Sequence, residues 1–460
     1  MARLVREPGG TAIRNAYAGL VVIGLGTLVV PLDAMVNVAF PDIVRDFAIP
    51  IPMIQWVVIS YVLTHASLML VFGRLGDMLG HRRIFLAGAA LSAVAFVGCT
   101  LAPGFGWLLA ARVAQGMGAA LLLSCGPALA TFLFPESERA RALGLYTMIF
   151  GLGGAIGPPV AGLLVEWFGW RAVYAARVPL CVLAFVFAWR LPMEPAGGVR
   201  ERFDALGAVL LTGAITAALL ALNQGAAWLG VVAAGAVAAF IWQERRTERP
   251  IIDIALFRDG GFAVINLGNV LVNLAAFAVM LLAPFHLVRV EGLSVGVLGL
   301  VLAGSSVGIM VSAPVAGRLA GLVPAKAMLV GGALLVAVSL ALVGQTLGLW
   351  VTVPALVMQG IGLGLYQVAY SEIVTGTLPR RSRGVAGSLA MMTRTLGTVT
   401  GASVLMLAFT AARGAAEASG LSAEAALTSG FRAALMMASG LVVATAVLLA
   451  WRVRGGHGHG

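Results

Sequence analysis

Charge is the scarcest resource in this chain. Only 11% of its 460 residues are Asp, Glu, Lys or Arg, against roughly 25% in a soluble domain, so it cannot clothe itself in a water-facing surface. Lysine is nearly absent: the 30 basic residues are all Arg except Lys326. A phosphate-cradling G-x-x-x-x-G-K-[ST] loop needs Lys after Gly, and Lys326 follows Ala325, which excludes a P-loop pump. One Lys also leaves little for Schiff-base chemistry. The five His (65, 81, 286, 457 and 459) have no zinc-ligand spacing and no H-E-x-x-H occurs. The expectation is therefore no enzyme, no metal and no cofactor. The three Cys (99, 125 and 181) sit inside apolar segments and read as small hydrophobes, not as a disulfide framework.

What is abundant is apolar length. Hydrophobic residues make up 60% of the chain and the mean hydropathy is +0.99, the signature of a polytopic membrane protein. At roughly 20 residues per span, fourteen runs emerge, near 17–39, 52–72, 84–101, 106–131, 141–163, 172–191, 206–222, 226–242, 262–285, 296–317, 326–347, 350–374, 385–411 and 432–451. The seventh and eighth are short and joined by a tight turn at Gln224 and Gly225, which also suits a re-entrant pair. The first run is span-length, follows basic residues and lacks a small-residue cleavage site, so it reads as a helix and not as a leader. Alternating the loops places most Arg on one side, with Arg45, Arg171, Arg177, Arg289, Arg413 and Arg432 on the other and Arg112 and Arg394 inside the membrane. The positive-inside rule then makes both termini cytoplasmic. The formal charge of +11 is a topology signal, and no nucleic acid is implied.

The organisation expected is an N-terminal six-helix bundle (1–192), a linker with two additional helices (193–261), a C-terminal six-helix bundle (262–452) and a tail (453–460). Gly73-Arg74-Leu75 is echoed by Gly317-Arg318-Leu319, an offset that such a repeat would produce. The 59 glycines suit close helix packing in lipid.

Chemistry concentrates in a few places. Asp33 lies deep in the first run, in Pro31-Leu32-Asp33-Ala34-Met35-Val36-Asn37. An intramembrane acid is functional by default, and hydrocarbon penalises its charged form, the property a proton-coupling group needs. The bland alternative ties Asp33 to Asn37 or to an Arg. Arg112, three residues before Gln115, needs a partner at membrane depth, and Asp33 is the natural one. Their pair either couples protonation to movement or is a static tie. Gly73, Arg74, Gly76, Asp77, Gly80 and Arg82 form a glycine-rich charged turn between two spans. Gly151, Gly154, Gly157, Pro158 and Gly162 recur at helical spacing, giving one face for close packing and, with Pro158 and Pro159, a hinge or seal. His65 and Arg394 complete the candidates for a substrate or proton path, with Asn37 and Gln115.

These residues resemble the major facilitator superfamily, and within it the 14-helix drug:proton antiporter branch of EmrB/QacA-type exporters, over nearly the whole chain. The resemblance implies an all-α major facilitator fold of two six-helix bundles plus two extra central helices. It implies that Asp33 and Arg112 serve proton coupling, that the Gly73 to Arg82 loop is a conformational lock, and that Gly151 to Gly162 is an antiporter motif. Met78, His81, Ala161, Arg177 and Val288 depart from the branch's pattern, Arg177 standing where it usually has Asn. The function so implied is proton-driven export of amphipathic molecules such as antibiotics, dyes or lipophilic cations, by a monomer that engages substrate, protons and lipid, with a periplasmic adaptor left open. With Asp33 the one deep acid, monocationic, neutral or anionic compounds are expected. The alternatives are a dedicated exporter of one endogenous metabolite and, from another class, a non-transporting sensor.

Overall fold

The computed structural model describes residues 10–134, 139–191, 206–207, 209–210, 213–214, 216–217, 221, 227–247, 258–319, 322–377 and 383–452. Their regular structure is helical. In chain order the helices are α1 (Gly10–Leu28), α2 (Met35–Val38), α3 (Phe40–Asp46), α4 (Gln55–Leu79), α5 (His81–Thr100), α6 (Phe105–Phe132), α7 (Arg139–Phe168) and α8 (Ala172–Ala175). They continue with α9 (Val178–Ala188), α10 (Ala227–Arg246), α11 (Gly260–Arg289), α12 (Val295–Leu319), α13 (Ala325–Gly344), α14 (Leu349–Thr377), α15 (Arg383–Ala418) and α16 (Ala423–Arg452).

Among the described residues, nine helical runs are long and apolar enough to cross a membrane, and the bent pair Phe40–Asp46 and Ile51–His65 raises this to ten. Helices coincide with every expected span except the seventh, 206–222, whose residues are described only in fragments. The turn at Gln224 and Gly225, the stretch 192–205 and the tail 453–460 lie outside the described residues. Two spans are less regular than their composition suggests. The first breaks into a 3-10 turn at Pro31–Ala34 before α2, and the second follows a 118° bend between α3 and the helix beginning at Ile51. The sixth is split into α8 and α9.

Tryptophans mark the helix ends, as interfacial indoles do. Trp107, Trp167, Trp189, Trp228, Trp242, Trp350 and Trp451 lie at or near helix ends with their side chains exposed, whereas Trp170 is buried. The indole of Trp170 donates to Asp46 Oδ2 at 3.1 Å. The three cysteines are free and buried, so they pack as apolar side chains.

The chain divides into two compact units. One comprises Met1–Asp33, Thr64–Gly157 and Arg171–Phe203, the other Ala34–Leu63, Pro158–Trp170 and Asp204–Gly460. In the first, Leu20, Ile23, Phe85, Leu122 and Leu129 are among the core residues contributed by α1, α5 and α6. Helices in lipid gain little from apolar burial against one another and depend on close packing. Glycine supplies it here: a Cβ at Gly118 of α6 would lie 2.9 Å from the Ser92 backbone nitrogen of α5, and one at Gly88 3.0 Å from Leu122 N. In the second unit the same device joins α12 to α14, where a Cβ at Gly308 would lie 2.2 Å from Val357 O and one at Gly360 1.9 Å from Ser305 O. Ser439 Oγ of α16 ties to Ala337 O of α13 at 2.7 Å.

This packing gives a paired test. Gly118→Ala forces α5 and α6 apart and is expected to cost about 1–3 kcal/mol, read as a lower melting temperature in detergent. Gly154→Ala, where a Cβ meets nothing within 4 Å, should leave the melting temperature unchanged.

Candidate functional site

The site begins with a proline. Pro31 has no amide hydrogen, so it cannot give Thr27 O its α-helical partner, and Val30 N donates to that carbonyl instead at 3.1 Å. Thr27 Oγ1 turns back onto Ile23 O and Gly24 O at 3.0 and 3.1 Å, spending its own hydroxyl on the helix end. The chain then passes into the 3-10 turn, with Asp33 N on Val30 O at 3.0 Å. Asp33 therefore projects from a break in the span, where short 3-10 stretches commonly mark functional positions.

Three side chains converge on its carboxylate. Arg112 of α6 makes a two-pronged pair, Nη1 to Oδ1 at 2.6 Å and Nη2 to Oδ2 at 2.7 Å. Gln115, one turn further along α6, accepts from Arg112 Nη1 at 2.7 Å and donates to Asp33 Oδ1 at 3.0 Å, locking the fork in place. The third donor is Arg177 Nη1, also 3.0 Å from Oδ1. Arg112 and Arg177 have side-chain exposures of 0% and 1%, and Asp33 keeps 15%. All four residues belong to the first compact unit.

Arg177 is the correction. Loop counting put it on the outer side although it falls near the start of the sixth apolar run (172–191), and the break between α8 and α9 turns it inward. Tyr174 and Arg177 form a turn (Arg177 N to Tyr174 O, 3.1 Å), and Pro179 opens α9. The guanidinium then lies 4.5 Å from the Phe96 ring centroid and 5.1 Å from that of Tyr174, with Nε donating to Val173 O at 3.1 Å. A sequence signal existed: Arg177 departs from the branch pattern and directly precedes an apolar run with an early proline.

The other candidates are more dispersed. Asn37 is buried on α2 in the second unit, while His65 is buried on α4 in the first. Arg394 lies on α15 with its side chain exposed. In the loop motif, α4 ends at Leu79 and Gly80 makes the turn at φ +94°, a left-handed conformation that glycine tolerates. A Cβ at Gly76 would lie 2.9 Å from Cys125 Sγ, whereas Gly73 has ordinary space. Arg82 donates through Nε to Ala188 O at 3.1 Å and through Nη2 to Trp189 O, capping the carbonyl end of α9. The side chains of Arg74 and Asp77 lie outside the described residues.

Along the glycine-rich stretch of α7 the space open to an added Cβ differs from position to position. A Cβ at Gly153 would lie 2.7 Å from Pro31 Cγ, whereas Gly154 meets open space. Gly151 lies on α7 and Gly157 is buried there. Within the second unit, a Cβ at Gly162 would lie 2.8 Å from Val295 O, and one at Gly299 2.3 Å from Pro158 O. The segment after Pro158 thus crosses the start of α12 backbone to backbone. The helix runs through Pro158 and Pro159 without ending.

Sequence reasoning missed a neutral polar ladder in the second unit. Asn269 Nδ2 donates to Thr393 Oγ1 at 2.8 Å, Asn273 Nδ2 to Asn269 O at 2.7 Å, and Tyr370 OH to Asn266 Oδ1 at 2.8 Å. Its signal was Asn266, Asn269 and Asn273 at helical spacing in one apolar run.

Helices of this length, a broken first span carrying an acid, and an arginine pair from within the membrane describe a polytopic transporter. Residues 23–402 match the Major Facilitator Superfamily, and the chain belongs to that family. It is 32% identical over 405 residues to the multidrug resistance protein Stp of Mycobacterium tuberculosis, covering 85% of this chain and 75% of that protein. It is also 32% identical to a probable actinorhodin transporter of Streptomyces coelicolor, covering 86% of this chain and 74% of the relative. Its fold resembles a bacterial homologue of the human lysosomal transporter Spinster, with a TM-score of 0.73, 18% identity and 98% of each chain covered.

The shared carboxylate predicts a stability pattern. Asp33→Asn removes the carboxylate charge that two buried guanidiniums share and is expected to cost about 3–5 kcal/mol. Adding Arg177→Gln removes one of the guanidinium charges and should restore part of the loss, as melting temperatures of the single and double variants would show.

Proposed function

We propose that the chain is a proton-coupled exporter of amphipathic small molecules, a drug:proton antiporter working by alternating access. The observation that carries the reading is the two-pronged pair between Asp33 and Arg112 at 2.6 and 2.7 Å in a membrane span. A proton arriving on Asp33 cancels the charge that holds both guanidiniums, so the cluster can open. When the proton leaves, the carboxylate draws Arg112 and Arg177 back. The protein thus has two charge states, and each favours a different arrangement of the helices that bear the partners.

The driving force is adequate. One proton moved through 100 mV supplies about 2.3 kcal/mol and each pH unit about 1.4. Together they sustain a gradient of roughly 500-fold per proton. Fourteen spans in two six-helix bundles with two added helices, both termini in the cytoplasm of a bacterial cell, and the crossing of Gly162 and Gly299 as a seal on the opposite side belong to the same proposal. No cofactor takes part, and the working unit is a monomer in lipid. The relatives named for multidrug resistance and for a probable actinorhodin transporter support an export role. The second of these also favours the alternative of an exporter dedicated to one endogenous metabolite.

The test is proton movement in proteoliposomes under an imposed pH gradient, on adding neutral antibiotics, organic anions and lipophilic cations. Substrate-triggered proton flux is expected, falling at least tenfold in Asp33→Asn. Full flux in that variant would overturn the role of Asp33, and a single active compound in a broad panel would favour the dedicated exporter.

A further inference from the structure

The cluster around Asp33 does not balance. Two guanidiniums share one carboxylate, and the only ion pair that Arg177 makes among the described residues is with that same oxygen, Asp33 Oδ1. Arginine stays protonated in proteins, so the group carries one positive charge in excess whenever Asp33 is ionised, and two when it is not. A buried cation in hydrocarbon calls for a counter-anion.

A second observation points the same way. Nε and Nη1 of Arg177 have acceptors, Val173 O and Asp33 Oδ1, but Nη2 is buried and has none among the described residues. Buried donors are nearly always paired, and a guanidinium is built to offer a carboxylate two parallel donors. The faces of Phe96 and Tyr174 offset part of the charge without supplying an acceptor for Nη2. Asp33, at 15% the most exposed member of the cluster, leaves an open edge at which a substrate would meet this field.

We propose that Arg177 selects substrates by charge: the site it shares with Asp33 accepts amphipathic molecules bearing an acidic group, a carboxylate or a phenolate, and disfavours lipophilic cations. This rests on the reading of the chain as an exporter whose substrate reaches Asp33. An anion supplies the missing countercharge and the missing acceptor. A cation adds to the excess, and it can use Asp33 only by displacing two guanidiniums and Gln115. The breadth expected from the sequence, monocationic to anionic, narrows to its acidic end.

Equilibrium binding tests this without any flux, so its failure is distinct from failure of proton coupling. The probes are three fluorescent compounds on one scaffold: 9-anthroate, 9-anthracenemethanol and (9-anthracenylmethyl)trimethylammonium, titrated against the whole protein in nanodiscs. The wild type is expected to bind the anion at least tenfold tighter than the cation, with the alcohol between them. Arg177→Gln should shrink that ratio at least tenfold, partly through a gain in cation affinity that misfolding cannot imitate. Arg177→Lys, which keeps the charge, should keep the preference. A wild type that binds the cation as tightly as the anion overturns the proposal without any variant. So does a Gln variant with the ratio intact, or a Lys variant that loses the preference while still binding the alcohol.

Discussion

The rest of the first unit is arranged around one carboxylate that three side chains must reach at once. Arg112 and Arg177 are almost wholly buried and both end on Asp33. Neither would be tolerable there alone, because an unpaired charge in the membrane interior costs far more than any single contact returns. That constraint explains the irregularities nearby. The first span breaks at Pro31 so that Asp33 leaves the helix line, the sixth breaks between α8 and α9 so that Arg177 turns inward, and Gln115 braces both charged partners of α6 and the turn. The placement of α6 in turn depends on Gly88 and Gly118, which let its backbone approach α5.

Glycine is the second theme, and its use differs from a flexible linker's. At Gly118, Gly308 and Gly360 a single methyl would strike backbone on the neighbouring helix. Such crossings are held by shape, backbone against backbone, and not by interdigitated side chains. The crossing of Gly162 and Gly299 is of the same kind, and Glu166 lies over it: a Cβ at Gly296 would lie within 2.0 Å of its carboxylate. Substitutions at these positions act on packing first and on transport through it.

The long apolar helices were legible because hydrocarbon thickness imposes a length on apolar runs and aromatic residues mark their ends; nine or ten of them among the described residues are long enough to cross a membrane. The depth of Asp33 and Arg112 was legible for the same reason, since charges inside such runs are conspicuous. What resisted reading was anything decided by a break in a helix. Arg177 sits near the start of the sixth apolar run, where counting charges by side assigns it to the outer end; only the turn from Tyr174 to Pro179 shows that it points back into the protein. Several glycines of α7 share a helical spacing, yet an added Cβ at Gly162 would strike backbone while one at Gly154 would meet nothing within 4 Å. Periodicity names a face but not its partner. The ladder of Asn266, Asn269 and Asn273 was overlooked because neutral amides in an apolar run carry no sign to balance.

The central claim is that Asp33 changes protonation state while its two arginines answer that change. Infrared difference spectroscopy of the protein in lipid nanodiscs, recorded across pH with Asp33→Asn as the control, observes this carboxyl directly. The account predicts a protonated-carboxyl band that grows on acidification, is missing from the control, and changes when substrate is added. A carboxylate that stays ionised over the whole pH range in which the protein transports would contradict it.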